Sequence, residues 1–146
     1  MPRLVAFLPC EKVVLEQGSN NASIIAVLDS LTLTVPKDTP APQPQTALAM
    51  PWAIFTLFQK EDNDTGEFEC KSVLMSDSGE VLMDGPVSKF SFNVPRMRIV
   101  MQVNGFPIWV PGQLWLALML KAPGQSDFGE VARTSITLAF AEAPSP

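Results

Sequence analysis

Along the chain, short apolar runs alternate with clusters of Gly, Pro, Asn and Asp, and no long segment carries a helical period. Strand-length runs punctuated by turn residues predict strands throughout. Leu4 to Leu8 and Lys12 to Glu16 have strand character, with a break expected at Pro9 because proline cannot donate to a ladder. The residues from Gln17 to Asn21 predict a turn that closes a hairpin into the next run. Ser23 to Val35 predicts one strand with a two-sided apolar, central start. Beyond it Leu31, Leu33 and Val35 alternate with Thr32 and Thr34, the period-2 signature of a half-exposed strand.

Prolines 36, 40, 42, 44 and 51 predict an extended loop that carries the chain between sheets. Trp52 to Lys60 and Glu67 to Ser76 flank the polar residues 61–66, which predicts a hairpin with a long loop. A turn at Asp77, Ser78 and Gly79 leads into Glu80 to Met83. From Ser88 to Val94 the alternation is strict, with Phe90 and Phe92 inward and Lys89, Ser91 and Asn93 outward. Arg96 to Asn104 and Gln113 to Lys121 enclose a connection from Gly105 to Gly112, and Ala132 to Ala141 is the last strand. Eight to nine strands at this spacing predict an all-β, antiparallel β-sandwich of Greek-key or jelly-roll-like topology. It occupies residues 1–141 as a single domain, and the polar, proline-rich residues 142–146 form a flexible tail.

Two runs depart from the usual one-wet-face rule of antiparallel sheets. In Gln113 to Lys121, Leu114, Leu116, Leu118 and Leu120 share one face and Trp115, Ala117 and Met119 the other; Trp52 to Phe58 behaves similarly. An outer face is therefore expected to be covered, either by the proline-rich loop or by a partner subunit. The connection bearing Phe106, Ile108, Trp109 and Val110 is apolar where a turn in water would be polar. Those side chains either plug one end of the barrel or form an interface anchored by Trp109. Phe106, Ile108, Trp109 and Trp115 are the interface candidates, with a protein partner or self-association as the expected use.

Composition narrows the rest. With 47% apolar and 17% charged residues among 146, the chain has material for a real core and too little charge for disorder. A net charge of −5 repels a phosphate backbone, and the ten basic residues are dispersed apart from Arg96 and Arg98, so neither nucleic acid nor a membrane surface is an expected partner. No run approaches the ~20 apolar residues of a spanning helix. Leu4 to Leu8 is too short for a signal-peptide core, and Cys10 lacks the small preceding residues of a lipoprotein site. A cytoplasmic location follows, in which Cys10 and Cys70 are expected as buried free thiols, with a disulfide as the alternative. The acceptor patterns at Asn21 and Asn63 would then carry no glycan.

The chain contains no histidine, which excludes Ser-His-Asp and Cys-His dyads, His-ligated metals and His general bases. Tyrosine is absent as well, and no nucleotide-loop or nucleophile-elbow motif occurs. Each thiol would need a neighbouring base or cation to become a nucleophile, and nothing specifies a pair of catalytic carboxylates. The one candidate for metal chemistry is the acidic loop, where Asp62, Asp64 and Glu67 offer calcium ligands. The loop lacks full EF-hand spacing, since Gly66 stands where a third ligand belongs. Asp77 or Asp84 would have to help from a second loop, and the alternative is a solvated loop.

An opening strand with Cys10-Glu11, the run from Ser23 to Asp29, and the Asn104 to Leu116 stretch (Asn-Gly-Phe-Pro through Pro-Gly-x-Leu-x-Leu) resemble a bacterial β-rich family known as domain of unknown function 6941. That resemblance implies a short β-rich chain and no particular activity. The expected function is a non-enzymatic structural or protein-interaction module, a subunit of a larger bacterial or phage assembly being one such role. The alternative is a small-ligand or calcium-dependent binding domain using the acidic loop, with calcium as the one cofactor considered.

Overall fold

The computed structural model describes residues 1–144. Ten strands follow one another: β1 (Arg3–Leu15), β2 (Ala22–Val27), β3 (Ser30–Val35), β4 (Ala47–Gln59), β5 (Phe68–Ser76), β6 (Val81–Asp84), β7 (Ser88–Phe90), β8 (Arg96–Pro107), β9 (Gly112–Lys121) and β10 (Gly129–Glu142). They form two sheets, ordered β2-β1-β4-β8 and β3-β10-β9-β5-β6, with β7 sharing the β6 side of β5. Among the described residues no helix is long and apolar enough to cross a membrane. The all-β sandwich is as expected, with ten strands where eight to nine were anticipated. Every pair is antiparallel except β3 with β10, which run parallel.

Period-2 patterning builds the core. Leu114, Leu116, Leu118 and Leu120 of β9 all point inward and are buried against Trp52, Ile54 and Phe58 of β4, in one apolar cluster shared by both sheets. Phe58 from the first sheet and Phe68 from the second both stack on Phe90, with centroids 5.3 and 5.5 Å away.

That stacking accompanies a correction to the expected hairpin. β4 and β5 are not hydrogen-bonded to each other: β4 is flanked by β1 and β8, and β5 by β9 and the β6 and β7 pair. Neither has a free side for the other, so residues 60–67 step between sheets instead of turning back within one. β8 and β9 are split in the same way.

Three further expectations are corrected. Pro9 does not break β1; it lies inside the strand opposite Ile54, and its carbonyl accepts the Leu28 N–H at 2.8 Å. A strand residue turns its N–H and C=O to the same side, so the missing N–H faces the end of β2 and the ladder to β4 is intact. Ser23 to Val35 is two strands in different sheets, divided at Leu28 and Asp29, and its first part is an edge with Ile25 and Val27 exposed. The alternation of Leu31, Leu33 and Val35 with Thr32 and Thr34 holds as expected. β10 continues through Glu142, and the Ala143 N–H bonds the Val35 carbonyl at 2.8 Å, so the chain expected to leave as a tail at 142 is still paired there. Residues 145 and 146 of that tail lie outside the described residues.

The cover over two-sided β4 is the chain's own first hairpin. β1 pairs with β4 only as far as Cys10 opposite Ala53, then continues paired with β2 alone. Its turn reaches Arg98 on β8, at the opposite edge of the same sheet. The sheet is therefore curled, with the hairpin lying over the outer face that carries Phe55 and Leu57. Residues 36–46 connect the two sheets, as their prolines implied, but they do not form this cover.

Candidate functional site

The opposite side of the sandwich is less well sealed. β8 ends the first sheet and the short β6 ends the second, so two sheet edges face each other there. Edges present alternate N–H and C=O groups with no strand beyond them. Between Met101–Gly105 of β8 and Glu80–Pro86 around β6 lies a cleft of about 670 Å³, closed at one end by Pro44–Ala47 and Trp109. The inward row of β8, Met97, Ile99, Met101 and Val103, packs against the core but stays half-buried, as do Leu82 and Met83 of β6. Val81 is 55% exposed. The floor is pinned where Gly85 meets the Met101 thioether and donates its N–H to the Ser72 carbonyl at 2.9 Å.

The cleft is weakly acidic. Its charged lining residues are Glu80 and Asp84, and Asp84 is held by Lys71 at 2.9 Å. Glu80 has no cation beside it among the described residues. The remaining polar side chains there, Gln45, Thr46, Gln102 and Asn104, are neutral.

The four interface candidates separate. Phe106 is fully buried and tilted against Trp52 at 5.4 Å, while the Trp52 indole N–H donates to the Gly105 carbonyl at 2.9 Å. It plugs the core and is unavailable as a contact, a correction to its place among the interface residues. Gly105 has a φ of 92° inside β8, and that left-handed kink places its carbonyl at the indole and Phe106 inward. Ile108 packs at the core margin, its N–H bonded to the Thr46 carbonyl at 3.2 Å. Trp109 is half-buried and lines the cleft.

Trp115 stands elsewhere, on the outer face of the second sheet. Its indole N–H donates to Asp77 at 3.0 Å, and the Arg133 guanidinium lies 5.6 Å over its ring. Arg133 is in turn held by Glu130 at 2.7 Å, which raises the guanidinium and lowers the carboxyl below its ordinary range through their hydrogen bond. Charged side chains thus roof the outward row of Trp115, Ala117 and Met119, with Phe128 receiving Lys71 and Lys121 at 5.3 and 5.4 Å.

The acidic loop turns its carboxylates to different partners. Asp64 turns inward, only 3% exposed, where it accepts the Glu61 N–H at 2.7 Å and pairs with the Met1 amine at 3.1 Å. Glu67 pairs with Lys89 at 3.1 Å, and Asp62 remains in the open loop. Among the described residues no three carboxylates or thiols converge. The three residues expected as calcium ligands thus face different surroundings: the Asp64 carboxylate bonds its own loop's backbone, Glu67 pairs with Lys89, and Asp62 is exposed. Cys10 and Cys70 are unpaired and buried, and burial raises both thiols, Cys70 to about 11.

The alternation of Met97, Ile99, Met101 and Val103 is visible in the sequence as an inward row. That the row borders an open cleft depends on strand order, and no local signal carries that information. Compared with known proteins, the chain matches no family model and no curated sequence.

Proposed function

We propose that the chain is a non-enzymatic protein-interaction module whose working surface is the cleft between the β6 and β8 edges. The observation that carries this reading is the half-buried apolar row of β8 facing an open sheet edge, with Trp109 at its end. Apolar surface rimmed by polar groups suits protein recognition. Neither thiol supports nucleophilic chemistry, since burial holds both in the protonated form at neutral pH. Two unpaired cysteines also favour a reducing compartment such as the cytoplasm.

Site-specific crosslinking tests the proposal. A photoreactive residue at Gln102, in the cleft, is compared with one at Thr32 on the far edge of the second sheet, each in native-host extract. The expected result is a discrete protein adduct from position 102 and none from 32; an adduct of twice the chain's mass identifies a second copy as the partner. No adduct at 102, or the same pattern at both positions, overturns the reading.

A further inference from the structure

Resting on that reading, we infer that the cleft takes an extended peptide segment of a partner protein, apolar at alternate positions and carrying Lys or Arg between them, added as a strand to the edge of β8. Four observations converge on this occupant. First, the edge is guarded unevenly. Arg96 and Arg98 supply the charges that blunt an exposed edge, and the Lys60 N–H closes on Pro95 beside them, whereas Met101 to Gly105 carry no charge at all. The unguarded stretch is the stretch that lines the cleft.

Second, the dimensions suit a strand. At the rise of an extended chain, Met101 to Gly105 spans about 14–17 Å, room for about five matching residues. Third, the pleat supplies two environments. Alternate side chains of an added strand would point inward to Met83, Met101 and Val103, which the core leaves half-buried, and the others outward past Glu80. Fourth, charge selects the occupant. Glu80 is uncompensated and the chain carries −5 overall, so a basic segment is drawn in and a second, equally acidic copy is not.

The experiment is selection of a random dodecapeptide phage library on the intact protein, followed by synthesis of the enriched peptides. We expect alternating apolar residues with at least one Lys or Arg, and binding weakened about tenfold by Glu80→Lys in protein that keeps its far-UV spectrum. Bound peptide should slow amide exchange within residues 100–105, and N-methylation of alternate peptide amides should abolish binding in one register and spare it in the other. Acidic or unpatterned winners, binding indifferent to Glu80→Lys, equal tolerance of both methylation registers, or exchange slowed on another edge each overturn the inference. A library that yields nothing also overturns it. The crosslink at position 102 then decides separately whether the interaction surface stands without this occupant.

Discussion

Arg98, on the last strand of the first sheet, donates one guanidinium N–H to the backbone carbonyl of Asn20 at 2.9 Å and another to its side-chain oxygen at 3.1 Å. The two residues are 78 positions apart, Asn20 in the β1–β2 turn and Arg98 on β8, so the bond joins the two ends of one curled sheet. This clasp holds the β1–β2 hairpin over Phe55 and Leu57. Asn20 suits the place because its φ of 58° is one that asparagine tolerates better than most side chains. Arg98→Ala is expected to cost about 1.5–3 kcal/mol, the range for hydrogen bonds to a charged group. Amide exchange in Ala22–Val27 should quicken more than in β9, read by mass spectrometry alongside the urea midpoint. Asn20→Gly keeps the backbone shape and the carbonyl acceptor, so it should cost less than Asn20→Val.

Phe106 and Trp109 lie three residues apart and should respond oppositely to truncation. Phe106 is fully enclosed against Trp52, so Phe106→Ala removes a buried ring and should cost about 3–5 kcal/mol. Trp109 is half-buried at the cleft mouth, and Trp109→Ala should cost about 1 kcal/mol or less while abolishing the adduct formed from position 102. Thermal melts and the crosslink, measured on both variants, check this. A Trp109 variant that unfolds would make it a second plug.

The contrast between these two neighbours also marks what the sequence can tell. Strand positions and inward rows were legible because alternation is local: Leu31 and Leu33, or Leu114 to Leu120, declare their face without reference to anything else. Pairing was less legible. Polar residues 61–66 look like a hairpin loop whether the chain turns back or crosses to the other sheet, and the choice rests on which strands already flank β4 and β5. The same limit hid the cleft, since Met101 and Val103 have the pattern of any core row and only strand order makes β8 an edge. An apolar connection announced Phe106 and Trp109 together, and only the φ of 92° at Gly105 turns one inward.

The thiols predict an alkaline limit to stability. Burial raises Cys70 from 9.0 to about 11 in the folded chain. A group whose folded value is raised contributes its full stability below the unfolded value and loses it as pH rises through the folded one, because only the unfolded chain ionises in between. Stability from this source should therefore be constant up to about pH 9 and fall by about 2–3 kcal/mol by pH 11. Chemical denaturation of the wild type and Cys70→Ala across that range isolates the contribution; parallel curves would contradict it. At neutral pH both cysteines should react with thiol reagents no faster than the chain unfolds.

Asp64 should behave as a structural anchor of its loop. Asp64→Ala leaves the Glu61 N–H without its 2.7 Å acceptor and should cost about 1–3 kcal/mol, whereas Asp64→Asn keeps an acceptor and should cost less. Melting temperatures in calcium and in chelator should coincide for the wild type. A rise with calcium that Asp64→Asn removes would return the loop to metal chemistry.

Gly85 ties the cleft to the core, and its need for glycine is steric. Its backbone is not left-handed; the constraint is that a Cβ built there would stand 2.8 Å from the Ser72 carbonyl oxygen and 3.4 Å from the Met101 thioether. Met101 can swing aside, but the Ser72 oxygen belongs to the β5 ladder and cannot. Gly85→Ala must therefore push the β6–β7 corner outward, lengthening the 2.9 Å bond from the Gly85 N–H to Ser72 and drawing β6 away from β8. A cost of about 1–3 kcal/mol is expected, typical of overpacking against a fixed neighbour. The diagnostic readout is local. Exchange at Val81–Asp84 should quicken while β9 and β10 stay protected, and peptides selected on the wild type should bind more weakly because the β6 wall of the cleft, with Met83, is displaced from β8. Uniformly faster exchange across both sheets would instead make Gly85 a support of the whole sandwich.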